Sequence, residues 1–316
     1  GPLKYGILPQ HLREAELTGG NGLIQLGTYA AILLGAVTGG MLAAVEGLGP
    51  VPVVACIVAL AVSGWIAAQF IPPAASSDPA VKINWNLPQA TFRLLRYAFA
   101  NREILTLILA ISWFWFLGAT FLSMVPTYGK ELLLADEQAV TLLNVAFTLG
   151  IGTGSLLCER FSRGRIELGL VPLACVGISV FAADFFLIGH PRTPAATLGI
   201  GTFFLHLPAA RAFVDLTLIG AFGALFIVPL YAALQARVDS ARCARVMAAL
   251  NVMNALFMVV SAVFTVALFR LGVSIPGVFG IVAAMNLVAM VLAAMALPEF
   301  ALRVRELLRT AIIQRS

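Results

Sequence analysis

The sequence predicts an all-α integral membrane protein, and three observations carry the prediction. Of its 316 residues, 60% are hydrophobic and 11% are charged, whereas a soluble domain is about one quarter charged. The mean hydropathy is +0.97. The apolar stretches run to about 20 residues, the length a helix needs to cross hydrocarbon. They do not alternate as the strands of a membrane barrel do.

Eight spans follow in order, at roughly 22–44, 51–71, 104–127, 138–158, 168–188, 214–235, 246–269 and 275–297. Each is an apolar run bounded by polar, Gly or Pro residues. Between the second and third lies the polar stretch PPAASSDPAVKINWN (72–86), followed by LPQATFRLLRYAFANRE (87–103). In the latter, Phe92, Leu95 and Phe99 recur at helical spacing, with Arg93, Arg96 and Arg102 on other faces. That pattern predicts an amphipathic helix lying on the membrane surface, with Asn86 as its N-cap and Pro88 in its first turn.

The basic residues set the orientation. If both ends of the chain are cytoplasmic and the spans alternate, 16 of the 20 Lys and Arg face the cytoplasm. Only Lys130, Arg192, Arg211 and Arg270 lie outside. This positive-inside bias accounts for the net charge of +5 without a nucleic-acid partner. Cys56, Cys158, Cys175 and Cys243 are scattered, Cys243 in a basic loop, with no metal-ligand spacing, and read as small packing residues. His11, His190 and His206 read as loop residues. No metal or cofactor is expected.

The turn between the fourth and fifth spans, GSLLCERFSRGRIE (154–167), resembles the signature loop of the major facilitator superfamily. Its physical role would be a latch. Glu159 pairs across the bundle, and Arg160, Arg163 and Arg165 hold helix C-termini and lipid phosphates; the alternative is an ordinary positive-inside turn. In that superfamily the loop follows spans 2 and 8. Four spans precede it here and four follow, so the resemblance implies spans 5–12 of a twelve-span bundle, with four spans missing before Gly1. The long basic connection then falls between spans 6 and 7, where the two six-span halves join. In the first span, GAVTGG (Gly35, Gly39 and Gly40) resembles the GPxxGG motif of facilitator exporters with Ala36 in place of proline. It reads either as a gating element or as close helix packing.

The strings GPLKYGILPQHL (1–12), GGNGLIQLGTYAAILLGAVTGG (19–40), SWFWFLGATFLSMVPTY (112–128), FIVPLYAALQ (226–235) and ARVMAALNVMNALFMVVSA (244–262) resemble the lysophospholipid transporter family of that superfamily. The strings at 112–128 and 244–262 look closer to members fused to a phospholipid acyltransferase and acyl-ACP synthetase than to the short stand-alone members. The resemblance implies a flippase-like facilitator in the bacterial inner membrane. It would move lysophospholipids such as lysophosphatidylethanolamine to the cytoplasmic leaflet, where a partner or fused acyltransferase re-acylates them. Two alternatives stand beside it: a drug or metabolite exporter of the same superfamily, and a membrane module for a fused acyltransferase. The chain itself carries no acyltransferase box, since Glu16 stands where the aspartate after His11 would be, and no catalytic residue is expected.

The same resemblance orders the candidate residues. Lys4, beside Tyr5, falls where a fourth span would end, and reads as a contact for the headgroup phosphate or as a positive-inside anchor. Glu103 reads as a carboxylate for a headgroup ammonium or as a helix-start charge. Asn251 and Asn254 share a face and either line a cavity or bond a neighbouring helix, as do Asn21, Gln25, Asn144 and Asn286. Gln235 either caps its span or contacts a headgroup. Trp113, Phe114, Trp115 and Phe116 read as core packing. Asp184 and Asp215 read as surface acids, with proton coupling as the sharper alternative. GIGTGS (150–155) reads as helix packing, not as a nucleotide loop. Leu122 aligns with an arginine of the stand-alone members. The expected organisation is 1–71 for the end of span 4 and spans 5–6, 72–103 for the linker, 104–297 for the second bundle and 298–316 for a basic cytoplasmic tail.

Overall fold

The computed structural model describes residues 2–43, 50–74, 86, 89, 92, 96, 100–162, 164–189 and 197–313. Among them, eight helices are long and apolar enough to cross a membrane. The chain opens with two short helices, α1 (Pro2–Gly6) and α2 (Leu8–His11), so His11 closes a helix rather than standing in a loop. The spans follow as α3 (Glu14–Ala43), α4 (Val51–Ala68), α5 (Arg102–Glu131), α6 (Glu137–Ser162) and α7 (Leu170–Ile188). After a short α8 (Ile200–Phe203) come α9 (Leu207–Arg237), α10 (Ser240–Arg270), α11 (Ile275–Ala296) and finally α12 (Glu299–Ile313).

Most spans overrun their apolar stretch because polar caps at the water ends prolong the helix. Asn101 accepts hydrogen bonds from the backbone of Glu103 (2.9 Å) and Ile104 (3.2 Å) to start α5. Asp136 accepts from Ala139 at 2.8 Å to start α6, and Ser274 accepts from Gly277 to start α11. Each satisfies backbone donors that a helix start leaves open. Asn86 does the same for Gln89 at 3.1 Å, as its N-cap assignment required. Most of the surface helix proposed for 87–103, and Arg163 and His190, lie outside the described residues.

The core is a bundle of α5, α6, α7, α9, α10 and α11. Its tightest contact is α6 on α9, where Gly150, Gly154 and Gly220 bring the two backbones together. The GIGTGS stretch is therefore a packing surface. A Cβ on Gly150 would lie 2.0 Å from the Thr217 carbonyl oxygen, and one on Gly154 2.2 Å from that of Ala221. Small residues at this spacing let apolar helices associate where no hydrophobic force drives them together.

Interhelical hydrogen bonds supply the rest. Asn286 of α11 is fully buried; it accepts from Trp113 Nε1 (2.9 Å) and donates to Cys175 O (2.9 Å) and Ser179 Oγ (3.0 Å). It thus ties α5, α7 and α11 together. Asn286→Leu should lower stability by about 1–2 kcal/mol, read as a lower melting temperature in detergent; an unchanged melting temperature would remove this knot from the account. The aromatic block packs as expected, Trp113 stacking on Phe116 at 4.8 Å and Phe114 on Phe226 at 6.3 Å.

Residues 299–313 of the basic tail form a helix: α12 crosses the start of α7, where Gly169 leaves room for Leu307 and the Arg303 backbone. Two expectations need correction. Cys243 sits buried within α10, not in a loop, because that helix begins at Ser240. Asp215 is 2% exposed, so it is not a surface acid. It lies one turn after Arg211 on α9, and Arg211 is held by Asp184 of α7 through Nε (2.7 Å) and Nη2.

Candidate functional site

One end of the bundle collects the starts of α3, α5, α7 and α10 with the ends of α6, α9 and α11. At this basic end Arg237, closing α9, contacts Glu103 of α5 (2.6 Å) and Glu299 of α12 (2.5 Å). Glu103 is thus spent on a neighbouring arginine. A cleft of about 520 Å3 opens beside this cluster, bounded by Glu14, Arg165, Arg237, Glu299 and Arg303.

Next to it, α3 meets α6 along a seam. Glu159 of α6 lies against Gly19 of α3: a Cβ there would approach its Oε1 to 2.7 Å. Across the same seam, Gly22 faces Ser155, and Gly152 faces Leu26. Farther along, Tyr29 meets Phe147 edge-on at 6.0 Å. Thr18 Oγ1 reaches the Arg165 carbonyl at 3.4 Å. The turn predicted as a latch therefore does touch the first long helix, through Glu159 and the Arg165 backbone, whereas Arg160 is exposed. Gly35 and Gly39 lie beyond the seam, and a Cβ on either meets nothing described within 4 Å.

The seam leads to a polar group built from both ends of the sequence. Asn21 donates to Gln235 Oε1 at 2.5 Å, and Gln235 Nε2 donates back to Asn21 Oδ1 (3.2 Å) and to the Tyr5 carbonyl (3.0 Å). The Tyr5 ring stacks on Tyr231, centroids 4.2 Å apart. Lys4 Nζ donates to Thr28 Oγ1 at 2.8 Å and sits 5.0 Å from the Tyr5 ring centroid. No carboxylate pairs with it among the described residues. Burial disfavours the charged ammonium and lowers the Lys4 pKa below its ordinary value. The arrangement is a half-buried cation beside neutral amides and hydroxyls, which an anion would complete.

The other sequence candidates fall elsewhere. Asn254 is buried; with its amide oriented to satisfy both atoms, it donates to Ser112 Oγ (2.9 Å) and accepts from Trp115 Nε1 (3.1 Å). It therefore joins α10 to α5. Asn251 bonds the Met247 carbonyl of its own helix at 2.8 Å. An apolar cavity of about 340 Å3 is lined by Trp113, Cys175, Phe226, Phe257, Met290 and Phe300 among others. It has too few polar atoms to hold a headgroup. Thr28 was missed by sequence reasoning, although its place seven residues after Asn21 puts both on one helical face.

The chain is 31% identical over 240 residues to the lysophospholipid transporter LplT of Serratia proteamaculans. It is 32% identical over 242 residues to that of Escherichia coli O1:K1. Over the stretch that matches, the chain is similar to lysophospholipid transporters. Each match covers 75% of this chain and 54% of the relative, so the chain spans about half the length of the curated relatives it matches. No protein-family profile matches it, and no solved structure does. With eight apolar spanning helices and these relatives, it is a multi-pass membrane protein.

Proposed function

We propose that this chain forms part of a facilitator that moves lysophospholipids across the bacterial inner membrane to the cytoplasmic leaflet. Its basic end faces the cytoplasm, in keeping with the positive-inside bias. A partner or fused acyltransferase would use the product. The observation that carries the reading is the half-buried Lys4 ammonium, held by Thr28 at the junction of α1 and α3 with α9 and α10 and without a carboxylate partner among the described residues. A lysophospholipid supplies the missing anion in its phosphate. A polar seam also removes the barrier of taking that headgroup through hydrocarbon. In this reading the bundles rock about the seam, Asn21 and Gln235 belong to the headgroup path, and Glu103 helps to hold the basic end shut through Arg237. The exporter alternative leaned on the Gly35–Gly40 motif, and no observation here favours it.

The test is uptake of labelled lysophosphatidylethanolamine by spheroplasts that lack their native transporter and carry the full-length protein. Lys4→Ala should reduce uptake at low substrate roughly tenfold or more, because a charge-assisted contact contributes about 1.5–3 kcal/mol. Absence of uptake above empty membranes would end the reading, and export of a dye instead would restore the exporter.

A further inference from the structure

Along α3 and the helix it meets, two buried side chains have no hydrogen-bond partner among the described residues. Gln25 of α3 is fully buried, and neither its amide nitrogen nor its amide oxygen makes a hydrogen bond. Its neighbours on the same helical face are satisfied. Asn21, one turn away, exchanges hydrogen bonds with Gln235; Thr28, nearly one turn the other way, donates to Ile24 and accepts from Lys4. Facing α3 from α6, the Ser155 hydroxyl is 2% exposed and equally unpartnered. Burying such a group unpaired is costly, and buried polar groups are nearly always paired. A seam that only had to stay shut would be better served by methionine at this position. The glutamine fits a state in which the seam holds a polar ligand.

The chemistry of that ligand follows from what the two orphans offer. Lys4 already presents a cation for a phosphate. Gln25 adds an amide N–H for a second phosphate oxygen and an amide oxygen that requires a donor. Ser155 can give or accept. A lysophospholipid has one donor close to its phosphate whatever its headgroup: the free glycerol hydroxyl left where an acyl chain is absent. A diacyl phospholipid has none there. We propose that Gln25, with Ser155 on the facing helix, reads the free glycerol hydroxyl of a lysophospholipid when α3 parts from α6, and so separates lyso from diacyl lipids. This rests on the transport reading above for its substrate class. A site built to hydrogen-bond a hydroxyl discriminates strongly against an analogue that lacks it, because its own polar groups are then left unpaired.

The experiment measures direct binding of 1-acyl lysophosphatidylethanolamine and of its 2-deoxy analogue to the full-length protein in detergent. Both are titrated into wild type and into Gln25→Met, which has the same length, removes the orphan amide and should fold at least as stably. The wild type should prefer the hydroxyl form by about tenfold or more, and the variant should bind both forms within about twofold. A merely structural role for Gln25 would leave that ratio where it was. Equal ratios in the two proteins overturn the proposal. No binding of either lipid by the wild type overturns both this proposal and the transport reading. The expected ratios without uptake in spheroplasts support this proposal and overturn only transport.

Discussion

Replacing Gly150 with alanine is expected to lower the melting temperature of the bundle more than any other single methyl group added to α6. The new Cβ would sit 2.0 Å from Thr217 O, 2.8 Å from Thr217 C and 2.9 Å from Ala221 N. All three are backbone atoms of α9, so no side-chain rotation relieves the overlap; one helix must move away from the other. Such overpacking costs about 1–3 kcal/mol and occasionally more. Gly220 makes the reciprocal approach from α9, its Cβ position 2.3 Å from the Phe147 carbonyl oxygen, so displacement at one glycine also loosens the other. Alanine recovers about 1 kcal/mol of helix propensity, so the net loss should reach about 2 kcal/mol, the upper end of that range, because backbone atoms cannot yield. Gly118→Ala is the control. It lies in the middle of α5 with nothing within 4 Å of its Cβ position, so the same propensity gain should leave it unchanged or more stable. Thermal unfolding in one detergent compares the two. A Gly150→Ala protein that melts with the wild type would mean that α6 and α9 are farther apart than described.

Those glycines were legible in the sequence, because GIGTGS places small residues two apart inside an apolar run with no strand before it. So was the number of spans, since hydropathy reports the hydrocarbon slab directly. It reports the helix ends poorly. The first long helix begins at Glu14, eight residues before its apolar stretch, because backbone hydrogen bonding continues into water where hydropathy has fallen. The closing helix was missed for a related reason. Its basic residues drew attention to charge, whereas Phe300, Val304 and Leu307 recur at the 3.6-residue period of a surface helix. The polar seam was legible only in part. Lys4, Asn21 and Gln235 stood out one by one, but Asn21 and Gln235 are 214 positions apart, and no local pattern pairs them. Asp215 escaped because closeness to the end of a span does not fix exposure, and Asp184 of the facing helix α7 lies against it.

Joining α3 to α6 through a disulfide is expected to abolish transport, and reduction to restore it. The rocking mechanism requires these helices to separate at the seam, and Gly22 and Ser155 offer a place to forbid it. The Cβ position of Gly22 lies 3.8 Å from Ser155 Cβ, within the roughly 3.5–4.5 Å that a disulfide spans. The pair Gly22→Cys/Ser155→Cys should therefore close on mild oxidation. The four native cysteines are free thiols, so each is first replaced with alanine. Ser155 is also an orphan hydroxyl within the seam, so the reduced double variant should transport somewhat more slowly than its parent. The decisive comparison is within that variant, between its oxidised and reduced forms. Oxidised protein should retain less than about one tenth of reduced uptake, because covalent closure holds the binding-competent open fraction near zero. Either single variant treated identically should be indifferent to oxidant. Full uptake by protein whose cross-link is verified by mass spectrometry would mean that α3 and α6 travel together. The headgroup would then have to cross by a route that leaves Gln25 and Ser155 buried throughout.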